Sequence, residues 1–224
     1  MMDKKLLTTA LTRVLAGIVI MAALIFIPAG TWAYWQGWLL LGILFVPMIV
    51  AGFVLMYKAP ELLKKRLNMK EEQKEQKLVV ALSGTMFMAA FILAGLNFRF
   101  NWMVFSDWIC IAAAIIFLIA YALYGEVLRE NEYLSRTIEI QGNQRVVDTG
   151  LYGAVRHPMY MVTLVMFLAM PVVLGSIISL VITLLYIPII VLRIKNEEKV
   201  LAEGLPGYRE YMRKVRSRLI PHVW

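Results

Sequence analysis

Residues 156–198 read RHPMYMVTLVMFLAMPVVLGSIISLVITLLYIPIIVLRIKNEE: two apolar arms meeting at Gly175, closed at either end by charge. The arms, 159–174 and 177–192, are short for a hydrocarbon core ~30 Å thick. They still reach across when Arg156 and Arg193 at their ends snorkel toward the headgroups. A stretch this apolar on every face predicts a helical hairpin set in lipid, with its apex at Gly175 and both polar ends on one side.

Working outward, four further apolar segments occupy 15–27, 38–56, 78–96 and 108–124, each bounded by Pro, Gly, aromatic or charged residues. Of the 224 residues, 61% are hydrophobic and 17% charged, and the mean hydropathy is +0.71, well outside the range of soluble domains. The fold class predicted is all-α, a polytopic membrane bundle of about six transmembrane helices in one domain, 1–224. Its parts are an N-terminal four-helix portion, 1–124, and a C-terminal portion, 125–224, made of a loop, the hairpin and a tail. The first segment is expected to be a retained helix, because Pro28-Ala29-Gly30-Thr31-Trp32 stands where a signal peptide would carry a small-residue cleavage site.

A net charge of +8 and a pI near 9.6 would suggest nucleic acid in a soluble protein. Position decides otherwise. Of the 23 Lys and Arg residues, 22 fall before the first span, in 58–77, in 125–158 or from Arg193 onward, and only Arg99 lies in a short connection on the other side. Six spans in the cytoplasmic membrane with both termini cytoplasmic satisfy that asymmetry, and no nucleic-acid partner is expected. Segment 58–77 has the composition of a surface helix at headgroup level, although a solvated connector is the commoner origin of such a charge run. From Glu203 the tail alternates Tyr208, Tyr211, Met212, Val215 and Leu219 with basic residues, predicting a cytoplasmic amphipathic helix suited to lie on the bilayer and to roof a polar site at its face. Cys110 is the single cysteine and only two histidines exist, so neither an intrachain disulfide nor a metal site is expected.

The spanning cores hold almost no ionisable groups, which counts against an ion-coupled transporter. Polar chemistry gathers instead at the ends of the hairpin. Pro158 suits the first turn of a helix, leaving a positive dipole end there that favours an anion. His157 lies 18 residues before Gly175 and Arg193 lies 18 after it, so at ~1.5 Å per residue both reach one depth. Glu197 shares the face of Arg193, four residues on, whereas Glu198 is turned by about 100°. Arg156, His157, Tyr160, Arg193, Glu197 and Glu198 therefore form one candidate polar layer. Taken singly, the arginines are equally explained as positive-inside anchors and the glutamates as a solvated helix end. Their conjunction at matching depth is what singles the layer out.

The ordered set Thr149-Gly150-Leu151-Tyr152, Arg156-His157-Pro158-Met159-Tyr160, Arg193, Glu197-Glu198 and Leu205-Pro206-Gly207-Tyr208-Arg209-Glu210-Tyr211 resembles the isoprenylcysteine carboxyl methyltransferase family of membrane enzymes. Arg99-Phe100-Asn101-Trp102 and Asn131-Glu132-Tyr133-Leu134-Ser135 also look like segments of its prokaryotic members, whereas the first seventy residues carry no diagnostic motif. The resemblance implies methyl transfer from S-adenosylmethionine to a lipophilic or lipid-modified acceptor, with 125–224 as the methyltransferase-like core. It implies Tyr152, His157, Pro158, Tyr160, Glu197 and Glu198 as cofactor-binding residues, with the C-terminal amphipathic helix forming the cofactor site, and Arg156, Arg193 and Glu197 as the catalytic set. The Arg-His-Pro-x-Tyr unit is shared with membrane sterol reductases, so an NADPH-dependent reductase is the nearest alternative. A non-catalytic transporter or scaffold binding membrane lipid is the other.

Overall fold

The computed structural model describes residues 4–67, 74–135 and 140–224. Its helices are α1 (Lys4–Ala29), α2 (Trp35–Lys58), α3 (Pro60–Leu67), α4 (Lys74–Phe100), α5 (Asp107–Glu130), α6 (Gly150–Ala154), α7 (Pro158–Val173), α8 (Ile177–Thr183), α9 (Tyr186–Gly204) and α10 (Tyr208–Lys214). The described residues contain no strand beyond a single bridge between Val104 and Ser176.

Five stretches are long and apolar enough to cross a membrane: α1, α2, α4, α5, and α8 with α9 together. The remaining predicted span, α7, has 16 residues. At ~1.5 Å per residue that covers ~24 Å, less than a full hydrocarbon core. α7 packs along α5, and α1 along α4. Tyr34, Ile25, Leu40, Ala94, Ala113, Ala114 and Phe117 fill the centre, the small residues letting helix backbones approach. Large apolar side chains such as Leu15, Val19, Ile20, Ile115, Ile119 and Trp108 point outward and stay exposed. An apolar exterior over an ordinary packed centre is the signature of a bundle solvated by lipid, and it makes the chain an integral membrane protein.

The hairpin apex is pinned. Gly175 has φ +70, a conformation other residues rarely adopt, and accepts a backbone hydrogen bond from Phe105 at 3.0 Å. Ile177 donates to the Met103 carbonyl at 3.2 Å, and the Tyr34 hydroxyl donates to the Leu174 carbonyl at 2.5 Å. The return arm is interrupted where α8 ends and α9 begins, around Leu184–Leu185. The two arms do not match residue for residue. Arg193, 18 residues after the apex, meets Tyr160, 15 before it; His157 meets Glu198 instead. The expected common depth of His157 and Arg193 is thus offset by about one helical turn.

At the end opposite the apex, α3 is the surface helix expected within 58–77; residues 68–73 lie outside the described residues. Leu63 packs with Leu6 and Met56, and Leu62 is buried as well. The tail differs from expectation in two respects. α10 stops at Lys214, so Val215 and Leu219 are buried from irregular backbone. The apolar face of α10 is also turned inward: Tyr208, Tyr211 and Val215 pack with Leu205, Val146 and Leu201, leaving little of that face for a bilayer. Periodicity detects such a face but not what covers it.

Candidate active site

The floor of the site is built by a turn and a short helix. Gly150 has φ +50, and a side chain there would collide with the Glu130 carboxylate, which accepts the Leu151 N–H at 3.1 Å. α6 follows and ends at extended Val155, and a bend through Arg156 and His157 leads to Pro158, which opens α7. The tail runs beside that connection. Arg156 N–H donates to the Ser217 carbonyl at 3.0 Å and His157 N–H to the Arg218 carbonyl at 2.9 Å, while Tyr160 and Met161 N–H turn back to the His157 carbonyl. Few donors at this helix end remain for an exogenous anion, and a protein carboxylate already stands beside it.

That carboxylate is Glu198, only 4% exposed. Its Oε1 accepts from Arg156 Nε at 2.7 Å and lies 3.3 Å from His157 Nε2, and its Oε2 accepts from Arg218 Nε at 2.7 Å. Arg156 Nη1 continues to the carbonyls of Val215 at 2.6 Å and Arg216 at 2.8 Å. The result is a buried ionic knot joining the start of α7, the middle of α9 and the tail. Three hydrogen-bonded partners compensate the desolvation of one carboxylate.

Its neighbour Glu197 faces the other way, into a cleft. The Tyr160 hydroxyl donates to Glu197 Oε2 at 2.5 Å and accepts from Arg193 Nε at 2.8 Å, so the carboxylate is oriented by a phenol that is itself oriented by a guanidinium. The His157 ring stacks on Tyr160 at 5.7 Å between centroids. Tyr152, Tyr208, Tyr211 and Tyr133 also line the cleft, with Asn131, Ser135, Gln144 and Arg145 on the loop side and Leu134 and Met159 adding apolar surface.

The tyrosines bear on what the cleft can hold. Tyr211 donates to the Tyr152 carbonyl at 2.7 Å. The Tyr208 hydroxyl, by contrast, is buried without a hydrogen-bond partner among the described residues. Burial, reinforced by Glu197 and Glu198, pushes the Tyr208 phenol well above its ordinary pKa; burial also raises Tyr211, against a lowering contribution from Arg156. Both stay neutral at physiological pH and act as donors. A buried donor without an acceptor is costly unless something arriving in the cleft supplies one. On the outside, α10 is fastened by Lys214 Nζ to Asp148 Oδ2 at 2.6 Å, and the ammonium lowers the pKa of that exposed aspartate.

Of the residues singled out from sequence, Tyr152, Arg156, His157, Tyr160, Arg193 and Glu197 line the cleft, whereas Glu198 and Pro158 do not. Tyr208 and Tyr211 stand out from sequence as part of the tail's apolar face and of the family-like stretch 205–211, and Arg218 as part of a family-like ending, Arg218-Leu219-Ile220-Pro221, but none of the three is singled out there as a site residue. The amphipathic pattern marks the tail as a roof for the polar layer, but spacing does not show which of its residues meet α7. Among the described residues no cluster of His, Cys, Asp and Glu is arranged to hold a metal ion.

No curated protein matches the chain. Residues 109–203, which contain α7, the Glu197–Glu198 pair and most of the cleft, match the model of the isoprenylcysteine carboxyl methyltransferase (ICMT) family, and that match supports an ICMT-like family assignment for this chain and with it a membrane methyltransferase.

Proposed function

We propose that the protein transfers a methyl group from S-adenosylmethionine to a lipophilic acceptor at the cytoplasmic face of the membrane, an isoprenylcysteine-like carboxylate being the acceptor class the family points to. The observation that carries this reading is Glu197: a carboxylate held by Tyr160, itself held by Arg193, at the wall of a cleft that Tyr133, Tyr152, Tyr208 and Tyr211 also line.

The residues present fit the donor. Glu197 suits its amine or ribose hydroxyls, the Tyr208 hydroxyl offers a buried donor for one of its oxygens, and tyrosine faces favour a sulfonium cation through the ring quadrupole. When bound, S-adenosylmethionine supplies an already electrophilic methyl carbon. What remains for the chain is to bind, align and keep water away, and alignment alone supplies effective molarities of ~10⁵ M or more in favourable systems. Arg193 and Tyr160 keep Glu197 in one orientation. Tyr208 and Tyr211 cover the cleft from the tail side, and Leu134 with Met159 offers apolar surface to the acceptor's chain. An acceptor carboxylate is ionised at neutral pH and requires no general base.

Thermal unfolding of the purified protein in detergent, with S-adenosylhomocysteine or NADPH added, tests the reading. Stabilisation by S-adenosylhomocysteine and none by NADPH is expected. The reverse result would hand the cleft to the reductase alternative, and stabilisation by neither would leave the transporter or scaffold alternative.

A further inference from the structure

The cleft has a rim that its own lining does not explain. α3 places two successive basic residues against the 131–135 segment: Lys65 Nζ donates to the Glu132 carbonyl at 3.3 Å and stands 5.9 Å from the Tyr133 ring centroid, and Arg66 reaches further in. Arg66 Nη1 lies 3.4 Å from the Ser135 carbonyl oxygen and 3.6 Å from Met159 Sδ, and both residues line the cleft. Its Nη2 bonds the Tyr124 hydroxyl, with the guanidinium 5.5 Å from that ring centroid.

Three properties set this cation apart. It is half-buried, yet every partner named above is neutral, and the carbonyl and thioether contacts are long; among the described residues no carboxylate pairs with it. The other arginines of the cleft differ. Arg156 is taken up by Glu198 and two carbonyls, Arg193 is engaged with Tyr160, and Arg145 is exposed. Arg66 also sits at the level of Tyr124 and Met159, the last apolar turn of α5 and the first of α7, where an amphiphile's head would meet its chain. Buried Leu62 and Leu63 anchor the helix that carries it.

We propose that Arg66 is a specificity-determining residue that receives the anionic group of the acceptor, exchanging its long neutral contacts for a charge-assisted pair with a carboxylate while Met159 and Leu134 meet the apolar chain. A guanidinium matches a carboxylate with two parallel N–H donors, which neither a carbonyl nor a thioether can use. The inference rests on the acceptor side of the methyltransferase reading and assigns a task to α3, which lies outside the family match at 109–203.

The test measures equilibrium binding of N-acetyl-S-farnesylcysteine and of its uncharged methyl ester to the full-length protein in detergent, alongside S-adenosylhomocysteine. Wild type is expected to prefer the acid by about tenfold or more, the range of a hydrogen-bonded charge pair. Arg66→Gln should lose that preference with ester and S-adenosylhomocysteine affinities within twofold of wild type, and Arg66→Lys should keep part of it. Lys64→Gln removes an exposed charge from the same helix and should keep all of it. Absence of an acid preference in wild type, its retention in Arg66→Gln, or an equal loss of acid and ester binding would each overturn the proposal. Failure of wild type to bind S-adenosylhomocysteine would instead break the methyltransferase reading, while the acid-to-ester comparison still reports on Arg66.

Discussion

Glu197 and Glu198 are adjacent in sequence and divide the molecule's polar end between them. Glu198 is buried and takes all three of its partners from the protein: Arg156, His157 and Arg218. Glu197 lines a cleft, held in place on one side by the Tyr160–Arg193 pair. A rotation of about 100° on one helix separates a carboxylate that holds the fold together from one positioned to meet a ligand. Ionisable residues clustered at a membrane boundary therefore need not share a task, and partners decide which task each has.

The contrast breaks first on the Glu198 side. Glu198→Ala strands two guanidinium groups, one of them buried, and should cost about 3–5 kcal/mol, read as a collapse of thermal stability or failure to purify folded protein. Replacing the whole knot (Glu198→Met, Arg156→Met, Arg218→Met) should recover much of that loss, because no unpaired charge is left behind. Stability near wild type in the single variant would place Glu198 in the cleft's chemistry instead. Next comes Tyr208→Phe. It removes a buried hydroxyl that lacks a partner among the described residues, so the protein should be as stable as wild type or more so by about 1 kcal/mol, while S-adenosylhomocysteine binds several-fold more weakly. Reduced stability would mean the hydroxyl bonds within the protein. The smallest effect belongs to Lys214→Ala, which removes an exposed pair with Asp148 and should leave thermal unfolding indistinguishable from wild type.

Much of this end was legible in the residues alone, and the part that was not has a common cause. The apolar runs, the apex at Gly175 and the shared face of Arg193 and Glu197 are local patterns, set by segment length and helical period. Tyr160 meeting Arg193 needed only a hairpin. By contrast, the pairing of Arg156 and His157 with Ser217 and Arg218 joins residues about sixty apart through backbone groups, and no periodicity encodes it. The same long-range docking turns the Tyr208–Tyr211 face toward Leu205 and Val146 rather than toward lipid. Charge patterning marked 58–77 as interfacial, but which basic residue would reach the cleft depended on how α3 lies against Tyr124 and Ser135.

The most direct measurement is calorimetric titration of S-adenosylhomocysteine into the purified wild-type protein and Glu197→Gln, with the thermal stability of both recorded. Wild-type binding, weakened about tenfold or more in Glu197→Gln with stability within ~0.5 kcal/mol, is the predicted result. Equal affinity in the two proteins, or a loss of binding that tracks a loss of stability, would contradict the assignment of Glu197 to the ligand and Glu198 to the fold.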